Sequence, residues 1–184
     1  DFTYFRVIGW SWYFLSTILD DYSRYIITWR LTTTMAAADV TGTLEDALKA
    51  TGLSEARVKH KPRLLSDNGP CYISGELKDW LKKQDMEHTR GAPYHPQTQG
   101  KIERYHRSMK NVVKLEHYYY PWELEKAISE WVEHYNHGRY HESLDNVTPA
   151  DVYDGRRNEI LDQRAVVKAR TMTKRKVHNL RLAG

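Results

Sequence analysis

The chain has 184 residues, 40% of them apolar and 28% charged, which suits one soluble globular domain with a buried core and room for an appendage. No apolar run approaches the ~20 residues that span a bilayer and no signal peptide is present, so no membrane partner is expected. The lone Cys71 excludes an internal disulfide, and without a CxxC pair no zinc is expected; an intracellular, reducing setting follows. In chain order, residues 1–34 read as three antiparallel strands, DFTYFRVIGW, WYFLSTILDDYS and RYIITWRLTTT, rich in β-branched and aromatic residues, with turns at Gly9 to Ser11 and Asp20 to Arg24. Ala36 to Ala38 open a helix in which Val40, Leu44, Ala47 and Leu48 recur at helical spacing, with Gly42 inside it and Gly52 at its end. Pro62 precedes a short strand at Arg63 to Ser66, which delivers Asp67 to its tip. Ser74 is the expected N-cap of a helix packing through Leu77, Trp80 and Leu81.

Glu87 to Arg90 read as a last short strand, followed by a loop broken by Gly91, Pro93 and Pro96, and then a long helix with Thr98 as its N-cap. Pro121 suits the first turn of a further helix with an apolar face of Leu124, Ile128, Trp131, Val132 and Tyr135, ended by Gly138. Thr148 and Pro149 fit the N-cap and first position of a short helix. The net charge of +4 hides an asymmetry: from Gln163 onward there are seven Lys/Arg and no Asp/Glu, against 21 basic and 24 acidic residues before it. Such a tail fits a polyanion partner, with a solvated helix end as the alternative. The start at Asp1 without Met reads as a fragment of something longer. The element order implies an α/β fold of the ribonuclease H-like kind, with a five-stranded mixed sheet of three antiparallel and two parallel strands flanked by helices. Residues 1–155 would form the core and residues 156–184 a basic C-terminal extension.

Glu103, Arg107 and Lys110 stand at i, i+4 and i+7 and share one helix face. A carboxylate followed by two cations suits a metal held against a phosphate backbone. Two-metal phosphoryl transfer needs acidic side chains from separate elements converging on ions about 3.5–4 Å apart, and Mg2+ prefers hard oxygen ligands. Asp67 and Glu103 meet that description together. Taken singly, Asp67 in Asp-Asn-Gly also reads as a turn residue, and Glu103 as an exposed helix residue. His95, His106, His134, His137 and His141 have no cysteine partners and do not form a zinc set. Trp122 with Tyr118 to Tyr120 is a candidate subunit contact.

Asp67-Asn68-Gly69, then 35 intervening residues, then Glu103 within Tyr94-His95-Pro96-Gln97-Thr98-Gln99-Gly100-Lys101-Ile102-Glu103, resembles the D,D(35)E signature of retroviral integrases and related insertion-sequence transposases. Asp1-Phe2-Thr3-Tyr4 is similar to the first motif of that family. Leu19 to Arg24, Tyr135-Asn136 through Arg139-Tyr140-His141, and Thr148-Pro149-Ala150 resemble further blocks of its bacterial transposase branch. The resemblance implies Asp1, Asp67 and Glu103 as catalytic and metal-binding residues and two Mg2+ or Mn2+ ions per active site. It also implies a polynucleotidyl transferase that cleaves DNA ends and joins the 3′-hydroxyl to target DNA. At least a dimer is implied, with a cytoplasmic, nucleoid-associated place of work in a bacterium. Asp20 competes with Asp1 as first carboxylate but suits a turn better. Arg107, Lys110, Gln99, Tyr94 and Lys101 are the expected DNA contacts. The alternatives are a ribonuclease H or junction-type nuclease, and an inactive DNA-binding or assembly domain derived from a transposase.

Overall fold

Strand alternation decides how this chain is layered. In the computed structural model, which describes residues 1–56, 58, 61–91 and 99–182, β1 (Phe2–Arg6), β2 (Trp12–Leu19) and β3 (Ile26–Thr32) form an antiparallel sheet in the order β1-β2-β3. Phe2 lies opposite Ser16, and Phe14 opposite Thr32. Period-two alternation sends Phe2 and Ile18 to one face. There they pack with Val40 and Leu44 of α1 (Ala37–Ala50), Tyr72 of α2 (Pro70–Ile73), and Leu77 and Leu81 of α3 (Gly75–Lys83). Asp1 and Thr17 point to the other face, where α4 (Gly100–Val113) supplies His106. Helix α5 (Pro121–Glu133) packs against α4. Phe5, Leu15, Tyr105, Met109, Leu124 and Ile128 are almost wholly buried.

The helix signals read from the sequence act as expected. The Ser74 hydroxyl accepts from the Leu77 amide at 3.2 Å and caps α3, and Gly52 leaves α1 at φ +70°. Gly42 has a reason to lack a side chain: a Cβ there would lie 2.2 Å from a terminal nitrogen of Arg30, whose guanidinium crosses α1 to reach Asp46 at 2.6 Å. Helix α4 starts at Gly100 with Gln99 in the cap position and no side-chain cap bond. The expected cap Thr98, with Tyr94 and the loop prolines, lies outside the described residues.

Strands β4 (Leu64–Ser66) and β5 (His88–Arg90) pair in parallel, with Leu64 opposite His88. The five strands and their directions are those expected, but they bond as a three-stranded sheet and a separate pair, not as one continuous sheet. Leu64 and Ser66 turn their N–H and C=O groups toward β5, so those of Leu65 face the opposite edge. On β2, Thr17 exchanges both its backbone bonds with Asp1, and by alternation Leu19 directs its groups to the same edge beyond that pair. Between these edges lies a cleft of about 450 Å3, lined by Ile18, Leu19, Leu64, Leu65 and residues of α1.

The chain divides at Glu133/His134, and the 155/156 boundary expected from sequence falls inside the second unit. That unit, His134–Gly184, opens on a wide helical turn, His134–Gly138. A small core of Leu144, Val147 and Val152 follows, with Ile160 and Leu161 packed on it. It includes α6 (Pro149–Tyr153), capped by Thr148, and the 26-residue α7 (Arg157–Leu182). Among the described residues no helix is long and apolar enough to cross a membrane.

Candidate active site

The first strand begins where α4 passes the sheet. Asp1 accepts from the Phe2 amide through Oδ1 at 2.7 Å, and its Oδ2 lies 3.6 Å from Nδ1 of His106. The other His106 nitrogen is 3.5 Å from the Thr17 hydroxyl. Burial, then the α-ammonium of Asp1 and the Lys110 cation, pull the His106 pKa down to about 3. The ring is therefore neutral near pH 7, and its approach to Asp1 is a polar contact longer than a hydrogen bond, not an ion pair.

Asp67 stands exposed at the tip of β4, where its Oδ1 accepts from the Gly69 amide at 2.8 Å. The bond closes an Asx turn into α2. Asn68 ties this tip to the end of β5 by donating to the Gly91 carbonyl at 2.8 Å. The Asp67 carboxylate acts on the α-amino group of Asp1, partly offsetting the burial that lowers that group to about 6. Asp1 and Asp67 are thus electrostatic neighbours although 66 positions apart in sequence. Their carboxylates are hard oxygen donors suited to Mg2+ or Mn2+, and Oδ2 of each accepts no hydrogen bond among the described residues.

Glu103 is exposed on α4, one turn before His106, without a hydrogen bond or ion pair among the described residues. It does not close a group with the other two: among the described residues no three His, Cys, Asp or Glu side chains gather as a metal set. Arg107 is exposed on the same face. Lys110 sits 4.5 Å above the Tyr4 ring, its pKa lowered by burial and by Lys114. Lys101 is committed elsewhere, donating to the Asp21 carboxylate at 2.8 Å and its carbonyl at 2.7 Å. Gln99 lines the cleft, with its amide nitrogen buried and unpartnered. Tyr94 lies outside the described residues. Asp20 closes the β2–β3 turn by accepting from the Ser23 amide at 2.7 Å and its hydroxyl at 2.6 Å. Sequence reasoning does not single out His106 for the site; its position three residues after Glu103, on the same helix face, is the available signal.

A three-layered α/β unit with acidic side chains at the start of one strand and the tip of another has the arrangement of a ribonuclease H-like fold. Sequence patterns of the integrase core domain match residues 1–96 and residues 84–149. The chain belongs to the integrase core domain family. It is 28% identical over 123 residues to the Pol polyprotein of equine infectious anemia virus (strain Wyoming), covering 67% of this chain and 10% of that protein. The chain spans between 3% and 11% of the length of the curated relatives it matches. Among solved structures, the HTLV-2 integrase catalytic core domain in complex with magnesium superposes with a TM-score of 0.59 at 18% identity, covering 81% of this chain and 89% of that one. The catalytic domain of Mos1 mariner transposase gives 0.62 at 19% identity, covering 72% of this chain and 67% of that one. These likenesses establish the fold as that of integrase and transposase catalytic cores.

Proposed function

We propose that this chain is the catalytic core of a DNA transposase or integrase, a polynucleotidyl transferase that cleaves DNA ends and joins a 3′-hydroxyl to target DNA. One observation carries the reading. Asp1 lies against α4, the helix that bears Glu103, Arg107 and Lys110, and Asp67 at the tip of another strand acts electrostatically on the Asp1 terminus, which supports these residues as one site. Asp1, Asp67 and Glu103 would hold Mg2+ or Mn2+, two ions per site. Magnesium in the HTLV-2 core and manganese in a Mos1 transposase catalytic domain support that cation class. The bound metal supplies Lewis acidity, easing deprotonation of the attacking hydroxyl or water and offsetting charge on the leaving oxygen.

The chain's own residues do the rest. His106 lines the site beside Asp1 as a neutral ring. The Asx turn fixes Asp67 at the strand tip. Arg107 and Lys110 would meet backbone phosphates, and Gln99, Lys101 and Tyr94 are further candidate DNA contacts. Residues 1–155 would carry the catalytic function and 156–184 a basic extension, a functional division distinct from the packing division at Glu133/His134. The active species is at least a dimer, with Trp122 stacked on Tyr120 at 4.3 Å as a candidate subunit contact. The bacterial-branch motifs suggest work at the nucleoid.

The test is strand transfer with a pre-cleaved 3′ end, in Mg2+ and in Mn2+. The proposed core joins the end to target DNA, and Asp67→Asn or Glu103→Gln lowers joining at least about a hundredfold. Hydrolysis without joining would assign the nuclease reading instead. The open position of Glu103 favours a second possibility, an inactive DNA-binding or assembly domain. Equal Mn2+ binding by wild type and Asp67→Asn would select it.

A further inference from the structure

Every residue of α7 from Asp162 to Leu182 is exposed, and its side chains are sorted. With about 100° of turn per residue, Lys168, Arg170, Lys174, Arg175 and Arg181 fall within an arc of about 160°. Val166, Ala169, Met172, Val177 and Leu180 fall on the opposite side, where Lys176 is the one cation among the described residues of that segment. The five arc cations make no hydrogen bond or ion pair among the described residues, whereas Arg164 is already bound to the Asn146 carbonyl at 2.9 Å. Within the arc they form two rows, Lys168 with Arg175 and Arg170 with Lys174 and Arg181. Thr171 and His178 lie between the rows, together with the apolar Val167 and Leu182.

We propose that this half of α7 lies in the major groove of duplex DNA, with one basic row on each phosphate backbone and Thr171 and His178 toward the groove floor. The inference extends the transposase or integrase reading and rests on it for the choice of nucleic acid. Three features select the occupant. Five cations without an acid demand a polyanion. Two basic rows about 130° apart on one helix match the two phosphate backbones that flank a groove admitting an α-helix, which B-form DNA offers and A-form RNA does not. The apolar side is built of Ala, Val and Thr with Met and Leu and has no aromatic residue, unlike helices that anchor in a lipid interface. From Lys168 to Arg181 the helix rises about 20 Å, a reach of roughly six phosphates on each strand.

The experiment measures binding of the full chain to a random-sequence DNA duplex between 50 and 200 mM salt. The arc variant is Lys168→Gln/Lys174→Gln/Arg181→Gln. A charge-matched control is Lys49→Gln/Lys83→Gln/Lys176→Gln, and circular dichroism verifies equal helix content. The slope of log K against log salt should shrink by about 0.9 for each phosphate no longer neutralised, so by about 2 to 3 in the arc variant, and by less than about 1 in the control. Equal slopes for the two variants overturn the proposal. So does an arc variant that keeps its DNA affinity but no longer binds vesicles of anionic lipid. Asp67→Asn separates this inference from the catalytic reading, because it should abolish joining and leave the salt slope unchanged. Persistent joining in Asp67→Asn with a reduced slope in the arc variant would sink the catalytic assignment and retain the groove-binding helix.

Discussion

Gly42 shows how a single missing side chain can serve a neighbour. In a helix interior glycine costs about 1 kcal/mol against alanine, yet the space it leaves is taken by the Arg30 guanidinium on its way to Asp46. That ion pair is half-exposed, so its worth is at most about 1 kcal/mol. The two effects nearly cancel. Gly42→Ala should therefore stabilise the wild type by well under 1 kcal/mol and displace Arg30 from Asp46. In an Arg30→Ala background the same change should give the full gain of about 1 kcal/mol. Urea unfolding of the four proteins in the cycle measures the difference. A gain of the same size in both backgrounds would show that Arg30 and Gly42 are not coupled.

Caps decide the element scale. Helix α6 has only five residues, and its start is held reciprocally: Asp151 donates its amide to the Thr148 hydroxyl at 3.2 Å, and its carboxylate accepts from that hydroxyl at 2.8 Å. Thr148→Ala should cost about 1 kcal/mol, seen as earlier thermal unfolding. Burial pushes the Asp151 carboxyl up, but hydrogen bonds from the Thr148 hydroxyl and amide and from Arg156 outweigh it and hold the pKa below the ordinary carboxylate range. A carboxylate depressed in the folded state stabilises fully above its unfolded pKa of about 3.9 and loses that contribution as pH falls through the folded value. Asp151→Asn should therefore destabilise at pH 7, and the destabilisation should shrink as pH falls through the depressed folded value. An effect unchanged across that range would contradict the assignment.

These caps are legible in the sequence because Ser74, Thr148, Pro121 and Gly52 act through local backbone chemistry. Helix α2 is not: four residues, Pro70–Ile73, carry too little periodicity to separate a helical turn from the Asp-Asn-Gly turn before it. Nor is the meeting of His106 with Asp1, which depends on long-range packing that no local spacing encodes. The division of the strands into two sheets is a long-range arrangement that composition cannot report.

For the whole molecule, stability is unevenly spread. The first unit has layered helices on a sheet, whereas the second has a small core around Leu144, Val147 and Val152 and carries a helix with 21 consecutive exposed residues, Asp162 to Leu182. Local opening should be easiest there. Limited trypsin digestion should cut first between Lys168 and Arg181, leaving the first unit intact, and bound duplex DNA should slow those cuts. Earliest cleavage within Asp1–Glu133 would contradict this ordering.

The cleft between Leu19 and Leu65 also bears on how the protein behaves when concentrated. Two peptide edges facing one apolar slot can template an incoming extended segment from another molecule, bonded on both sides at once. Loss of monomer on storage should then rise with concentration, and a lysine in place of Leu65 should slow it by gatekeeping that slot.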